Sequence, residues 1–202
     1  MIKAVLFDVD GVLLDSYEAN RKFFHQLLAS FGYSFSEEEF SKTIHLSMMA
    51  AIRFLTNETS EEKIKIIWEK GLKTPYDYGM TKTPEKCLPV LKLLKNKYVL
   101  GVVSSRTHHG IEEFFKATHM KEFFETFVGF DDTDKHKPNP EPLLFASKRL
   151  KIDPKNIVYI GDTEADREAA RDAGMKFIFY STQPSKNYVA SFDEIPDLIA
   201  KF

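Results

Sequence analysis

The fold is predicted outward from residues 1–15, which read Met1-Ile2-Lys3-Ala4-Val5-Leu6-Phe7-Asp8-Val9-Asp10-Gly11-Val12-Leu13-Leu14-Asp15. Its apolar run from Ala4 to Phe7 is typical of a strand buried on both faces, and the run stops at a carboxylate. Asp8 is therefore predicted at a strand tip that a ligand can reach. Asp10 is expected to share its site, unless a turn at Gly11 re-aims it. Two carboxylates so close need a cation or a shared proton between them. The alternative without function is a strand followed by an ordinary Asp-Gly turn.

Length and composition describe a globular protein of ordinary size. The chain has 202 residues, of which 43% are hydrophobic and 18 are Phe, enough for one core or a core with a small insertion. A net charge of -2 and no concentrated basic patch argue against nucleic acid or an anionic membrane as partner, so a small molecule is expected. Cys87 is the only cysteine, which excludes a disulfide framework and predicts a core residue.

No run of the sequence is typical of a signal peptide or of a membrane span, which needs about 18 apolar residues. We therefore expect a cytoplasmic protein that does not enter a membrane. The sequence leaves the oligomeric state open between monomer and homodimer.

The segment from Ser16 to about Leu72 has helical spacing. Its apolar residues recur every three or four positions, before a stop at Gly32, as Phe23, Phe24, Leu27, Leu28 and Phe31. Residues 16–79 are expected to form a small helical domain. It is inserted into a core made of residues 1–15 and 80–202.

Two pairs in this insertion have the spacing of a capping box that opens a helix, Ser36 with Glu39 and Thr59 with Glu62. Four other side chains in its middle are those of His45, Met48, Met49 and Arg53. Helix packing or a solvated surface is the favoured interpretation of all four.

From Thr83 onward, strands alternate with helices. Thr83-Pro84-Glu85 predicts a helix start, and that helix runs to about Asn96. The predicted strands that follow are 98–103, 123–128, 157–160 and 176–180, and the predicted helices between them are 111–117, 140–150 and 163–173. Such alternation implies parallel pairing through right-handed crossovers, hence an α/β, Rossmann-like fold with three layers and a parallel sheet in the middle. Ligands of this architecture bind beyond the carboxyl ends of the strands.

Polar residues follow the predicted strands at that edge. They are Asp8 and Asp10, Ser104 and Ser105, Lys137 before a helix, and Asp162 with Asp166. Carboxylates without Cys or His partners suit a hard ion such as Mg²⁺, and hydroxyl and ammonium groups suit phosphate oxygens. Taken singly, these residues also fit loop serines, a surface lysine and an acid at a helix start.

Four segments resemble, in order, the motifs of the haloacid dehalogenase superfamily of phosphotransferases. They are Phe7-Asp8-Val9-Asp10-Gly11, Val102-Val103-Ser104-Ser105, Lys137-Pro138 and Gly161-Asp162-Thr163-Glu164-Ala165-Asp166. Within that superfamily, the chain is similar to the phosphoglycolate phosphatase and β-phosphoglucomutase branch, and its helical insertion resembles the mobile cap of that branch. The resemblance covers essentially the whole chain.

The resemblance implies a Mg²⁺-dependent phosphatase that acts on a small phosphorylated metabolite. Asp8 would form an aspartyl phosphate, and Asp10 would serve as general acid and then as base. The phosphate-binding residues would be Ser104, Ser105 and Lys137. The metal-binding residues would be Asp8, Asp10 through its carbonyl, Asp162 and Asp166, and whether Asp166 binds the ion directly is left open. No firm side-chain role carries over to Ser105 and Arg106, because relatives often show Asn and Lys there.

Two alternatives remain open on the same fold. A β-phosphoglucomutase-like phosphosugar mutase typically has a histidine in the first cap helix, where this chain has Asn20. A non-catalytic phosphate-binding module is the other, and the presence of a general acid argues against it.

Overall fold

The structure is a computed structural model that describes residues 1–44, 46–180 and 191–202. His45 therefore lies outside the described residues. The chain divides into two compact units. One consists of Met1–Asp15 and Lys82–Phe202, and the other of Ser16–Thr81.

The larger unit is built on a sheet of five parallel strands. They are β1 (Ala4–Phe7), β2 (Val99–Val103), β3 (Thr126–Val128), β4 (Ile157–Gly161) and β5 (Lys176–Phe179). Their order is β3-β2-β1-β4-β5, so β1 is central and pairs with β2 on one side and β4 on the other. Every residue of β1 is buried, as expected of a strand covered on both faces. This sheet confirms the predicted α/β fold.

The smaller unit has helices and no strand among its described residues. Its helices are α1 (Tyr17–Ala29), α2 (Glu37–Ser41), α3 (Met48–Thr56) and α4 (Glu61–Gly71), followed by a 3-10 turn at Tyr78–Met80. Buried side chains of all four helices form one apolar cluster that includes Leu28, Phe40, Ile52 and Ile64. The unit therefore has a core of its own.

Side chains of this unit test several predictions. Met48 and Met49 pack against the apolar cluster, and Arg53 forms an exposed pair with Glu61. The packing or surface interpretation is confirmed for these three residues. Phe31, predicted within the helical pattern, instead follows the end of α1 and is exposed.

One predicted capping box is confirmed and the other is wrong. Ser36 and Glu39 form the reciprocal bonds of a capping box at α2. At α4 the N-cap is Ser60, not Thr59. The carboxylate of Glu58 accepts hydrogen bonds from the main-chain nitrogens of both Thr59 and Ser60 at 3.0 Å. These bonds hold both residues outside the helix and move its start by one position.

Helices flank the sheet in the larger unit. They are α5 (Cys87–Lys95), α6 (His108–Thr118), α7 (Glu141–Leu150), α8 (Glu164–Asp172) and α9 (Ile195–Ile199), with 3-10 turns at Lys121–Phe123, Phe130–Asp132, Pro154–Asn156 and Phe192–Glu194. Successive side chains of β1 point to opposite faces. Leu6 packs in a cluster with buried residues of α7 and α8, whereas the ring of Phe7 stacks on Phe192 at 6.5 Å.

Two boundaries in this unit differ from the prediction. The helix expected from Thr83 begins at Cys87, because Lys86 has a φ of 61° and the chain makes a turn before the helix. The strand expected from residue 123 begins at Thr126, because a 3-10 turn occupies Lys121–Phe123. Cys87 is buried, as predicted. Among the described residues, no helix has the length and apolar character needed to cross a membrane.

Candidate active site

The carboxyl ends of three neighbouring strands bring the predicted residues together. Asp8 follows β1, and its main-chain nitrogen donates to the carbonyl oxygen of Ile160 at 2.9 Å. Ser104 follows β2, and its nitrogen donates to Val128 O at 3.0 Å. Asp162 follows β4. The chain leaves β1 for β2 and β3 on one side and returns on the other with β4, so these residues surround the switch point of the sheet, where ligands of such folds bind.

Lys137 lies against Asp8 and is held there by three oxygens. Its Nζ donates to Asp8 Oδ2 at 2.8 Å, to Asp166 Oδ1 at 2.7 Å and to the hydroxyl of Tyr159 at 2.9 Å. The side chain of Lys137 is only 6% exposed. An ammonium group has three protons, and three partners fix its direction. The structure therefore places a buried positive charge directly beside the Asp8 carboxylate.

Asp166 is fully buried, and protein donors use both of its oxygens. Oδ2 accepts from the hydroxyl and the main-chain nitrogen of Thr163 at 2.6 and 3.2 Å, which is half of a capping box at the start of α8. Oδ1 accepts from Lys137. Gly161 leaves the space for this contact, since a Cβ there would lie 2.5 Å from Asp166 Cβ. Asp166 thus anchors Lys137 to the helix that follows β4.

Asp162 differs from Asp166 in the hydrogen bonding of one oxygen. Its Oδ1 is buried without a hydrogen-bond partner among the described residues. Gly11, with a φ of 75°, packs so closely that a Cβ there would lie 1.9 Å from Asp162 Oδ2. One oxygen each of Asp8, Asp162 and Asp166 lie within 4.8 Å of one another. A buried carboxylate oxygen without a partner is unfavourable, and this all-oxygen group of donors fits a hard divalent cation such as Mg²⁺.

Burial and mutual repulsion shift the pKa values of the cluster. Burial, with the charges of Asp8 and Asp166, raises the pKa of Asp162 to about 8. Burial also raises the pKa of Asp8 to about 6, against the opposing effect of Lys137. Burial lowers the pKa of Lys137, but the carboxylates of Asp166 and Asp8 more than reverse this and raise it. The protein alone therefore disfavours three ionised carboxylates here, and a bound cation would stabilise them.

The residues predicted to bind phosphate line the same cavity. A small cavity is lined by Ser104, Ser105, Gly129, Phe130, His136, Lys137 and Pro142. Ser104 is 5% exposed, and its Oγ accepts from the main-chain nitrogen of Arg106 at 3.2 Å. A hydroxyl and an ammonium beside one cavity are suitable donors for an anion.

Asp10 pairs with an arginine. Nε and Nη2 of Arg106 donate to Asp10 Oδ2 and Oδ1, both at 2.7 Å. After β1 the chain turns at Gly11 and changes the direction of Asp10. Gly11 N donates to Leu14 O at 2.8 Å, and Asp10 forms an isolated β-bridge with Leu14. The Asp10 carboxylate is thus oriented by a side chain from the loop after β2.

With this geometry in place, comparison with known proteins gives the family. A profile described as "Haloacid dehalogenase-like hydrolase" matches residues 5–180. The chain belongs to this family. It is therefore a hydrolase, and the resemblance stated from the four motifs is confirmed.

Individual members of the family are similar over nearly the whole chain. A pyrophosphatase PpaX of Bacillus pumilus is 29% identical, over 99% of this chain and 92% of that protein. A phosphoglycolate phosphatase of Aquifex aeolicus is 28% identical, over 97% of this chain and 91% of that protein. A solved HAD-superfamily hydrolase of subfamily IA from Geobacter sulfurreducens is 26% identical with a TM-score of 0.73, and 98% of this chain and 96% of that chain are covered.

Two residues of this haloacid dehalogenase-like site were not found from the sequence. Tyr159 on β4 has a hydroxyl that lies 3.0 Å from both Val103 O and Asp166 Oδ1, besides its contact with Lys137. In the sequence, Tyr159 is one of the four residues of the predicted strand 157–160, and nothing there distinguishes it from its apolar neighbours. Arg106 was noted without a role, although its place two residues after Ser104 was a usable signal, because that loop lies at the same sheet edge as Asp10.

Proposed function

We propose that this protein is a Mg²⁺-dependent phosphatase that hydrolyses a small phosphate monoester through an aspartyl phosphate on Asp8. The observation that carries the proposal is the pairing of Lys137 Nζ with Asp8 Oδ2 at 2.8 Å, at a cluster where the buried Oδ1 of Asp162 has no hydrogen-bond partner in the described part of the chain. The relatives named as phosphatase and pyrophosphatase support this reaction class.

Asp8 acts as the nucleophile in this proposal. Val9 N donates to Asp8 Oδ1 at 2.7 Å and Lys137 donates to Oδ2, so the carboxylate is held in one orientation. One of its oxygens forms a bond to phosphorus while the bond from phosphorus to the leaving alcohol oxygen breaks. Lys137 stabilises the negative charge of both reactants as they approach.

Asp10 moves the protons, and it does so in both halves of the reaction. It gives a proton to the leaving alcohol oxygen when the aspartyl phosphate forms. It then takes a proton from the water that attacks the phosphorus of this intermediate. Phosphate leaves, and the Asp8 carboxylate is restored.

The residues that would hold Mg²⁺ are Asp8, Asp162 and the main-chain carbonyl of Asp10. When bound, the ion supplies positive charge that lets an anionic nucleophile approach an anionic phosphate. Asp166 supports the site by anchoring Lys137, since both of its oxygens already accept hydrogen bonds. Ser104 donates its hydroxyl to a phosphoryl oxygen, and Ser105 lies beside it on the cavity wall.

The test is release of phosphate, with and without Mg²⁺, from a panel of phosphosugars, phosphoglycolate, nucleotides and pyrophosphate. The proposal expects turnover of at least one of these that EDTA abolishes and that Asp8→Asn lowers by orders of magnitude. The proposal is wrong if Asp8→Asn keeps substantial turnover, or if fluoroberyllate cannot be trapped on Asp8.

We propose, from the family resemblance, that the helical unit is the cap that selects the substrate. The same panel of substrates tests this role. Asn20 forms hydrogen bonds within that unit. Its Nδ2 donates to Ser16 Oγ at 3.3 Å, and its Oδ1 accepts from the Tyr76 hydroxyl at 2.7 Å. An amide also does not titrate near neutral pH, unlike the histidine of mutase-like relatives.

This supports hydrolysis over phosphosugar mutase activity. With β-glucose 1-phosphate, a phosphorylated primer and Mg²⁺, the expected product is inorganic phosphate or none. Glucose 6-phosphate that accumulates faster than phosphate would instead assign the protein as a mutase.

A further inference from the structure

The loop after β2 carries an arginine whose guanidinium bonds both oxygens of one carboxylate. Two bonds of 2.7 Å join Arg106 Nε and Nη2 to the two oxygens of Asp10. The two side chains are only 13% and 28% exposed. Two short parallel hydrogen bonds between a guanidinium and a carboxylate fix both groups in one plane. The pair therefore determines which way the Asp10 carboxylate points.

The main chain of Arg106 is itself held at two points. Its nitrogen donates to Ser104 Oγ at 3.2 Å, and its carbonyl oxygen accepts from Phe130 N at 2.7 Å. Gly129 permits this close approach, because a Cβ at that position would lie 2.9 Å from Arg106 O. A guanidinium on so fixed a backbone can hold its partner in place. A flexible surface arginine cannot do so, since it loses the contact as its side chain moves.

We propose that Arg106 is a positioning residue that holds the acid–base group Asp10 in its working orientation. This inference rests on the proposed function, because it assigns a role in that reaction. It also explains why an arginine stands in this loop. Lysine would supply the charge but only a point contact, whereas the planar guanidinium sets the angle of the carboxylate as well.

The test is a double-mutant cycle of Arg106→Met and Asp10→Asn, with kcat and KM measured on an alkyl phosphate and on p-nitrophenyl phosphate. For the alkyl phosphate, Arg106→Met should lower kcat about 10–100-fold, the effect of a misplaced catalytic group, with KM changed less than about two-fold. The loss should be smaller for p-nitrophenyl phosphate, whose leaving group needs little help from an acid. In the Asp10→Asn background, Arg106→Met should have almost no further effect.

Arg106→Lys should recover only part of the lost kcat, because it restores the charge but not the planar contact. Arg149→Met is the matched control. Arg149 lies in the same unit and donates to Phe127 O at 2.9 Å, not to Asp10, so its loss should leave kcat unchanged. The inference is overturned if the two losses in kcat multiply in the double mutant, or if Arg106→Met acts mainly on KM, which would make Arg106 a direct substrate ligand.

A second cycle separates this inference from the proposed function. Urea unfolding of the same four proteins reports the Arg106–Asp10 interaction without any turnover, and the midpoint shifts should be non-additive. Wild-type protein that releases no phosphate from any substrate would defeat the proposed function alone. Additive unfolding shifts would defeat the positioning role even in an active enzyme.

Discussion

The buried charge cluster at the sheet edge of the larger unit and an exposed ion pair of the helical unit are built in opposite ways. In the larger unit, the side chains of Lys137, Asp8 and Asp166 are 6%, 10% and 0% exposed. In the helical unit, Arg53 and Glu61 are 45% and 73% exposed. Exposed pairs contribute little to stability, whereas buried charges must be removed from water at a cost. A protein that needed only stability would not gather three carboxylates and a lysine under one sheet edge, which agrees with the catalytic role proposed for this cluster.

The largest expected effect tests Asp162. Asp162→Asn keeps the shape but removes a charge that would bind Mg²⁺, so activity should fall at least about 100-fold and recover partly at high Mg²⁺. The same variant should be more stable than wild type without metal above pH 8, because it removes a buried charge whose Oδ1 has no hydrogen-bond partner among the described residues. Activity against Mg²⁺ concentration and urea unfolding in EDTA measure the two effects.

Glu164→Gln is the control for Asp162. Glu164 lies in the first turn of α8 and is exposed, so it represents an ordinary acid at a helix start. It should leave the Mg²⁺ requirement unchanged. If Asp162→Asn behaved like Glu164→Gln, the functional contrast between buried and exposed charges would be lost.

The second prediction concerns pH and metal together. Without metal, the folded protein keeps a proton on Asp162 up to its pKa of about 8 and on Asp8 up to its pKa of about 6. Both lie above the ordinary aspartate pKa of 3.8, which the unfolded chain approaches. The folded state binds more protons in this range, so the stability of the metal-free protein should fall as the pH rises from about 4 to about 8. Mg²⁺ should offset that loss, and should stabilise the protein by about 2–4 kcal/mol more at pH 8 than at pH 5.

Urea unfolding with saturating Mg²⁺ or with EDTA, at several pH values between 5 and 8, measures this difference. Asp162→Asn should remove most of the pH dependence, because it carries the larger of the two shifts. Equal stabilisation by Mg²⁺ at pH 5 and pH 8 would show that the cation does not bind at these carboxylates.

A smaller effect is expected for the hydroxyl that completes the buried network. Tyr159→Phe keeps the ring in the core but removes one of three partners of Lys137. We expect kcat to fall about 10-fold through a less well placed ammonium, with a loss of about 1–2 kcal/mol in stability. Tyr180→Phe is the control, since Tyr180 is equally buried but lies in the aromatic contact with Phe192. If both variants lowered kcat alike, the effect would reflect general packing.

The sequence patterns predict where the strands end, but they do not predict the side-chain contacts between neighbouring strand ends. The apolar runs of β1, β2 and β4 predict where strands end, and the fold then brings Asp8, Ser104 and Asp162 to one edge. Periodicity does not show that the hydroxyl of Tyr159 reaches past β1 to Val103 O on β2. The pairing of Arg106 with Asp10 depends on side-chain rotamers, which a one-dimensional pattern does not contain.

The start residues of two helices were not predicted from the sequence patterns, for a related reason. Thr83-Pro84-Glu85 has good chemistry for a helix start, yet the left-handed Lys86 delays α5 to Cys87. Thr59 is a good cap residue, but Glu58 engages it before α4 begins. In both cases a neighbouring residue or tertiary packing decided between two acceptable starts.

The smallest expected effect tests the exposed side of the comparison. Arg53 donates two hydrogen bonds to Glu61, at 2.6 and 2.9 Å, and both side chains are open to solvent. Salt screens such a pair, and its long side chains lose conformational freedom to form it. We therefore expect Arg53→Gln to leave the urea midpoint nearly unchanged, and kcat and KM within about two-fold of wild type. Steady-state kinetics on the preferred substrate measure this effect. Lys42→Gln, which breaks a second exposed ion pair of the same unit, is the comparison. A rise in KM for Arg53→Gln alone would mean that Arg53 contacts the substrate's charged group. Charge in the helical unit would then serve binding, just as charge in the larger unit is proposed to serve catalysis.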